Sequence, residues 1–493
     1  MSKLSAIGVV GAGAMGAGIA QVALTAGLDV ILFDQNEKAL HGAGEAIGQR
    51  IARLAEKGQI PAHEAEAARA RLKLAADLDD LAACDLVVEA IIESLAPKQA
   101  LFAALEDAVR DDAVLATNTS SLSVAAIARD CRRPERVCGL HFFNPVPLMK
   151  LVEVIDAPAT SPEAFALAWD FSLKIGKTPV RVADGPGFLV NLGGRAYSTE
   201  ALHIRQEGVA DEAAIDRIMR QAAGFRMGPF ELMDLTGIDV NFPASTFIWQ
   251  GYMNDPRLKT TAQHQLMFNA GRFGRKTGQG FHRYGADAAP ADAAALADDG
   301  RSVLEVAIPE DTPALAALAH KGLAARPDDS ACPILVAPVG EDAATYAVRN
   351  GLDGRRVVAI DLYGLPRNFV TLMTPPGGQY ADRVAAWLNA RGVETAIVKD
   401  SPGFVAPRIL AMIANLGCEM AQIGVGAPSD VDLAMRLGLN YPLGPLELAE
   451  RVTPPVLLRT LENLQAITGS DRYRPSLWLR RRAQLGLPIH TPD

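Results

Sequence analysis

The chain has 493 residues, too many for one ordinary core and enough for about three domains. Hydrophobic residues at 49% and charged ones at 21% make the mixture of a soluble globular protein. A net charge of −9 argues against nucleic acid as a partner and leaves room for a local basic pocket.

The N-terminal stretch has no charge between Lys3 and Asp29, which a hydropathy window would take for an anchor. Glycines at 8, 11, 13, 16, 18 and 27 make a poor spanning helix, so the expectation is a strand, a turn and a helix, with no targeting segment and no membrane partner. "AIGVVGAGAMGAGIAQVALTAGLDVILFD" predicts a strand over Ala6–Val10 and a Gly11-x-Gly13-x-x-Gly16 turn. A helix from about Ala14 to Ala26 follows, then a strand over Leu28–Phe33 that ends in Asp34. In such a unit Gly11 makes the tight turn, Gly13 lets backbone approach a pyrophosphate, and Gly16 allows close helix–strand packing. The helix start, at Ala14 and Met15, offers free N–H groups and a partial positive charge. Asp34 accepts from both ribose hydroxyls and repels a 2′-phosphate, so NAD is the expected cofactor rather than NADP.

Short apolar runs continue the pattern at Cys84–Ile91 and Ala113–Ser121, then "RVCGLHFF" and "KLVEVI", closing with "TPVRVAD" near Asp184. Glu93, Asn118, Ser120 and His141 fall at carboxyl ends of these strands, where such folds place ligands. The expected fold class is an α/β Rossmann-like NAD-binding domain (1–184) followed by an all-α helical domain (185–284). An Ala/Asp-rich linker at 285–300 opens a third segment (285–397) holding a degenerate α/β unit. Its strands are "PILVAPVG", "RRVVAIDLYG" and "NFVTLMTPP". The last segment (398–493) repeats the helical domain: "VADGPGFLV" matches "VKDSPGFVA", and "GPFELMDLTG" matches "GPLELAERVT", at one offset of 216 residues. Asn191 of the first copy becomes Pro407 in the second, and the degenerate unit has no counterpart of His141. The five cysteines (Cys84, Cys131, Cys138, Cys332, Cys418) lack CxxC or metal-ligand spacing, which suits reduced thiols in a cytoplasm and no metal.

"GAGAMGAGIA", "DLVVEAIIES", "NTSSLSV", "GLHFFNPVPLMKLVEV", "GPGFLVN" and "RKTGQGF", in this order, resemble the L-3-hydroxyacyl-CoA dehydrogenase family over about residues 5–284. The resemblance implies NAD-dependent oxidation of a 3-hydroxyacyl-CoA thioester, in fatty acid or phenylacetate-type catabolism. It implies His141 as the base, since an imidazole takes a proton near neutral pH. Glu153 would be its orienting carboxylate, reached when the chain doubles back across Asn-Pro-Val-Pro. Alone, His141 reads more readily as a core histidine.

Ser120 and Asn191 correspond to the residues that hold the substrate oxygen. Ser120 as the N-cap of "SLSVAAIA", and Asn191 as a plain helix-start residue, are alternatives. Asp34, Glu93, Lys98, Asn118, Asn144 and Lys276 would surround the cofactor, with the two lysines the weakest, since surface lysines are usually solvated. Lys57, with Arg50 and Arg53 on one helical face, would meet coenzyme A phosphates or merely be solvated.

"NLGGRAY" departs from the arginine that usually follows the family's asparagine. No enoyl-CoA hydratase segment accompanies the chain, so a single activity is expected. The duplicated helices point to a monomer with an intrachain pseudo-dimer, or to a homodimer. Rival readings are an NAD-dependent dehydrogenase of a free hydroxy acid or sugar acid, and an NAD-binding protein that no longer catalyses.

Overall fold

The first apolar runs fold as β1 (Ala6–Val10) and β2 (Asp29–Phe33), joined by a helix over Ala14–Thr25. They are followed by β3 (Leu72–Leu74), β4 (Leu86–Glu89), β5 (Val114–Thr117), β6 (Val137–Phe142), β7 (Leu151–Asp156) and β8 (Thr178–Ala183). In this computed structural model, which describes residues 4–285, 304–309, 313–326 and 332–493, the eight strands form one sheet. Its order is β3-β2-β1-β4-β5-β6-β7-β8, and every neighbouring pair is parallel except β6 and β7.

β4 and β5 are buried at every residue, as parallel strands covered on both faces must be. The helix Ala14–Thr25 packs Ile19, Ala20, Ala23 and Leu24 into the same core as Val9, Val30 and Leu32. The chain reverses its direction of winding at β1, which lies between β2 and β4. A crevice at the carboxyl ends of those strands is where such a sheet binds its ligand. β3, only three residues long and partly exposed, has no apolar run to announce it in the sequence.

The chain packs as two units. This sheet belongs to the first, residues 1–192 with 423–439. Residues 423–439 lie inside the expected second helical copy, yet their helix Pro428–Leu439 packs against β7 and β8. Gly438 makes the approach possible, because a Cβ there would stand 2.9 Å from Val190 Cγ2.

The second unit holds residues 193–422 and 440–493. β9 (Leu304–Val306) and β10 (Leu323–Ala325) pair as a small parallel sheet. The expected degenerate unit is β11 (Ile334–Val336), β12 (Val357–Asp361) and β13 (Phe369–Met373), completed by β14 (Glu394–Ile397), a strand with no clear signal in the sequence. Residues 286–303, which carry nearly all of the expected Ala/Asp-rich linker, lie outside the described residues.

The duplication extends to backbone geometry. Phe188 and Phe404 both take a left-handed conformation, with φ of 50° and 56°. Glu231 and Glu447 each reach back 2.8 Å to the N–H of Gly228 and Gly444 at the same helix start. Gly237 (φ 95°) is replaced by Thr453, which keeps the positive φ (77°) although a β-branched residue is strained there. The corresponding helices Arg195–Gln206 and Ala406–Gln422 pack on each other. Buried Arg408 donates from Nε to Glu200 Oε1 (2.6 Å) and from both terminal nitrogens to Glu207. Among the described residues no helix is long and apolar enough to cross a membrane.

Candidate active site

The glycine turn has the shape its spacing predicts. Gly11 has φ of 108°, and a Cβ on it would lie 2.5 Å from the Ala90 carbonyl oxygen. A Cβ on Gly16 would lie 1.8 Å from Gly11 O, so the helix closes on the turn only with glycine there. Gly13 and Ala14 are exposed where the helix begins, Met15 half-buried beside them, and no side chain caps the helix start. Its first N–H groups are therefore available to an anion. Asp34 accepts from Ala12 N (2.8 Å) and Asn36 N (2.9 Å), which fixes its carboxylate beside the turn. A backbone turn that admits no side chain at Gly11 or Gly16 and is open at Gly13, followed by an anchored acid, fits a dinucleotide with a free ribose 2′-hydroxyl.

The ends of β4 and β5 form one polar network. Glu93 Oε1 accepts from Thr119 Oγ1 (2.7 Å), from Ser120 N (2.8 Å) and Oγ (3.1 Å), and from Ser121 N (3.1 Å). Burial raises the Glu93 carboxyl, but the Thr119 hydroxyl, Lys98 and the Ser120 amide outweigh it and hold the group below the usual range. Lys98 is not the solvated lysine its type suggests, for it is 1% exposed. It lies 2.6 Å from Glu89 and 3.3 Å from Glu93, so it supports Glu93 from beneath. Glu89, which also takes the Thr117 hydroxyl at 2.6 Å, does not stand out in the sequence. The available signal is an acid closing the apolar run "DLVVE", nine residues before a lysine. Asn118 Oδ1 accepts from Phe142 N (2.9 Å) and ties the end of β5 to the end of β6. The N-cap of the helix Val124–Ala128 is Ser123, not Ser120, and Asp184 holds that helix start through Val124 N and Ala125 N. Ser120 is thereby released from the capping role.

His141 and Glu153 are directly opposed across the antiparallel β6–β7 pair. Their side chains meet at 2.6 Å, Nδ1 to Oε2, with His141 5% and Glu153 0% exposed. The other Glu153 oxygen accepts from Leu189 N (2.9 Å) and Val190 N (2.8 Å), the start of the short helix Val190–Gly193. That helix carries Asn191, whose Nδ2 donates to the Ser120 carbonyl at 3.1 Å. One carboxylate thus positions both the histidine and the asparagine. The rings of Phe143 (4.4 Å) and Phe188 (5.8 Å) wall the imidazole. With Nδ1 engaged by Glu153, Nε2 is the ring nitrogen left for another partner.

The remaining expected residues are less drawn together. Asn144 is exposed just past β6. Arg50 reaches Gln21 at 3.4 Å, Arg53 is exposed, and Lys57 is exposed one residue past the helix Glu37–Glu56. Lys276 belongs to the second unit, where it pairs with Asp239 at 2.7 Å.

Known proteins give this geometry its family. Residues 6–185 match the model described as 3-hydroxyacyl-CoA dehydrogenase, NAD binding domain. Residues 187–284 and 403–488 both match the C-terminal domain of the same family, which accounts for the repeat. The chain is 38% identical to 3-hydroxyadipyl-CoA dehydrogenase of Escherichia coli K12 over 98% of each sequence. It is 40% identical to human mitochondrial hydroxyacyl-coenzyme A dehydrogenase over 56% of this chain and 90% of that one. The crystal structure of 3-hydroxybutyryl-CoA dehydrogenase from Escherichia coli K12 superposes with a TM-score of 0.87 at 36% identity, covering 98% of this chain and 99% of that one. The chain belongs to the 3-hydroxyacyl-CoA dehydrogenase family, as an NAD-dependent enzyme with a duplicated C-terminal domain.

Proposed function

We propose that the enzyme oxidises the C3 hydroxyl of an (S)-3-hydroxyacyl-CoA to the 3-oxoacyl-CoA, with His141 as the base. The carrying observation is the buried 2.6 Å contact between His141 Nδ1 and Glu153, with Asn191 and Ser120 tied to the same loop and helix start. His141 Nε2 takes the hydroxyl proton, and the Glu153 carboxylate stabilises the imidazolium that forms. The Ser120 hydroxyl and the Asn191 amide hold the substrate oxygen. NAD, when bound, accepts the hydride from C3. It would rest on the backbone at Gly11, Gly13, Ala14, Met15 and Gly16, with Asp34 on its adenosine ribose. Glu93, Asn118, Asn144 and Lys276 complete its contacts in this proposal, and Lys98 acts through Glu93. Lys57, with Arg50 and Arg53, is proposed to meet the coenzyme A phosphates.

The relative named for 3-hydroxyadipyl-CoA spans the whole chain, which supports an ω-carboxylated substrate and phenylacetate-type catabolism. The structural neighbour named for 3-hydroxybutyryl-CoA supports a short acyl chain and fatty acid catabolism. A kcat/KM panel of ω-carboxylated, short and long 3-hydroxyacyl-CoAs separates these, and activity confined to free hydroxy acids or sugar acids would reject the thioester altogether.

Cofactor choice gives a second test. Asp34→Ser keeps an acceptor for Ala12 N and removes the charge. Losing a charge-assisted hydrogen bond is worth about 1.5–3 kcal/mol, so KM for NAD should rise about 10–100-fold while use of NADP improves. An unchanged NAD/NADP ratio would remove Asp34 from the ribose site.

The packing of the helix Arg195–Gln206 on its counterpart Ala406–Gln422 supports a monomer with an intrachain pseudo-dimer. Light scattering should then return one chain mass, 52.3 kDa, at micromolar concentration. Twice that mass would favour the homodimer. A cytoplasmic setting is proposed on the five free cysteines, with burial pushing the Cys84 and Cys138 thiols up to about 12.

A further inference from the structure

Lys177 stands between a helix and a strand, where a lysine is normally solvated, yet it is 8% exposed. It comes one residue before β8, at the foot of the turn 143–150 that joins β6 to β7, where Thr178 N donates to Lys150 O at 2.8 Å. Its Nζ donates to two carbonyls of that turn, Val146 O at 2.5 Å and Met149 O at 2.7 Å. The turn also closes on Pro145 O, which accepts from Leu148 N (2.9 Å) and Met149 N (3.0 Å). Burial pushes the Lys177 ammonium down from its ordinary range, and no carboxylate offsets it. The two carbonyls are therefore the whole set of partners of the ammonium among the described residues.

The same turn touches both parts of the proposed site. Val146 is 2% exposed and packs on the helix Ala14–Thr25 at Gly18, where a Cβ would stand 2.8 Å from Val146 Cβ. Phe143 opens the turn, and its ring lies 4.4 Å from that of His141. Phe143 lies just outside the β6–β7 pairing, which ends at Phe142 and Val152. Its place against the imidazole is thus set by how the turn closes rather than by the sheet. The strand that Lys177 precedes belongs to the same neighbourhood, since Val180 of β8 pairs with Glu153, which faces His141.

The physical consequence of losing the ammonium is local. The contact with Val146 O is buried, so that carbonyl would be left without a partner and the turn would shift to hydrate it. Any such shift carries Phe143 with it, because only two residues separate Phe143 from Val146.

We propose that Lys177 is a positioning residue: by holding the carbonyls of Val146 and Met149 it fixes the turn, keeps Phe143 against His141, and so aims the imidazole at the substrate hydroxyl. The inference rests on the reading of His141 as the base. Lys177 acts through Phe143 and His141, not on the reacting atoms.

The test is single-turnover formation of NADH from a 3-hydroxyacyl-CoA, with enzyme in excess and NAD saturating. The rate constant reads the geometry of the site, and the amplitude reads the fraction of competent chains. Lys177→Met keeps the length and bulk but donates nothing. Its rate constant should fall about tenfold or more, the worth of one charge-assisted hydrogen bond, with the amplitude retained. In the His141→Ala background the same substitution should cost less than about twofold, because the group it positions is gone. Lys177→Gln, a gentler change that keeps one amide donor, should lower the rate constant at least about threefold, and it decides the matter where Lys177→Met fails to fold. An unchanged rate constant in the variant that folds, a loss confined to the amplitude, or the full loss repeated in the His141→Ala background would each overturn the proposal. A wild-type rate constant in His141→Ala alone would overturn the reading of His141 as the base, and this inference with it.

Discussion

Replacing His141 with alanine should lower kcat for a 3-hydroxyacyl-CoA by about 10²–10⁴-fold, the usual worth of a positioned general base. The dissociation constant for NADH should stay within about twofold, because the glycine turn and Asp34 are built from β1, β2 and the helix between them. NADH formation measures the first quantity and fluorescence titration the second. Glu153→Gln tests the partner. Its Oε2 meets His141 and its Oε1 holds Leu189 N and Val190 N, so one substitution loosens both the base and the Asn191 helix. The expected signature is a fall in kcat with KM for NAD unchanged. Normal turnover in His141→Ala would leave the buried pair a structural ion pair and return the base to be found elsewhere.

The second large effect lies away from the chemistry. Glu200 is fully buried between Arg408 and Arg472, at 2.6 Å from each, and Tyr473 donates to it at 3.0 Å. Burial alone would raise its carboxyl; Arg472 and Arg408 outweigh that and hold it down to about 2. Glu200→Gln leaves two buried guanidiniums without their shared charge, at a cost of about 3–5 kcal/mol. Three of the four tryptophans (Trp249, Trp387, Trp478) lie in the same unit, so the tryptophan fluorescence transition in urea reads it. The pH dependence has a definite sign. A carboxyl whose folded pKa is depressed stabilises fully above its unfolded value, near 4.3, and loses that stabilisation as pH falls toward 2. The gap between wild type and Glu200→Gln should therefore be full at pH 7 and shrink below about pH 4. Equal urea midpoints at pH 7 would show that the triad contributes nothing to folding.

Several site features are legible in the residues themselves because they are local. The turn at Gly11, Gly13 and Gly16 needs only glycine at three spacings and an acid at the next strand end. The repeat needs only matching segments at one offset. Lys98 reads as a surface lysine, yet it is buried on Glu89 and Glu93, which sit outside its own helix; side-chain burial is not a property of residue type. Ser120 reads as a helix cap because the helix start falls three residues later than the serine run suggests, and only backbone geometry distinguishes Ser120 from Ser123. Asp361 cannot be seen as a counterpart of His141 along the chain, because the equivalence runs through strand register rather than through any shared motif.

The order of the elements, the cofactor turn and the duplication are set by the chain's own pattern of glycines, apolar runs and repeats, while the candidate base with its carboxylate came from the motifs that resemble the family. Those signals act over one or two turns of chain, where steric rules and hydrogen bonding leave few options. The tertiary structure alone decided that Glu153 serves both His141 and the Asn191 helix, and that Lys98 supports Glu93 from the interior. It also lodged residues 423–439 against β7 and β8, and set Asp361 opposite Thr371 where the first sheet sets His141 opposite Glu153. Each of these depends on which distant segments pack together and in which register, and a one-residue slip of a strand would have turned every one of those side chains to the opposite face.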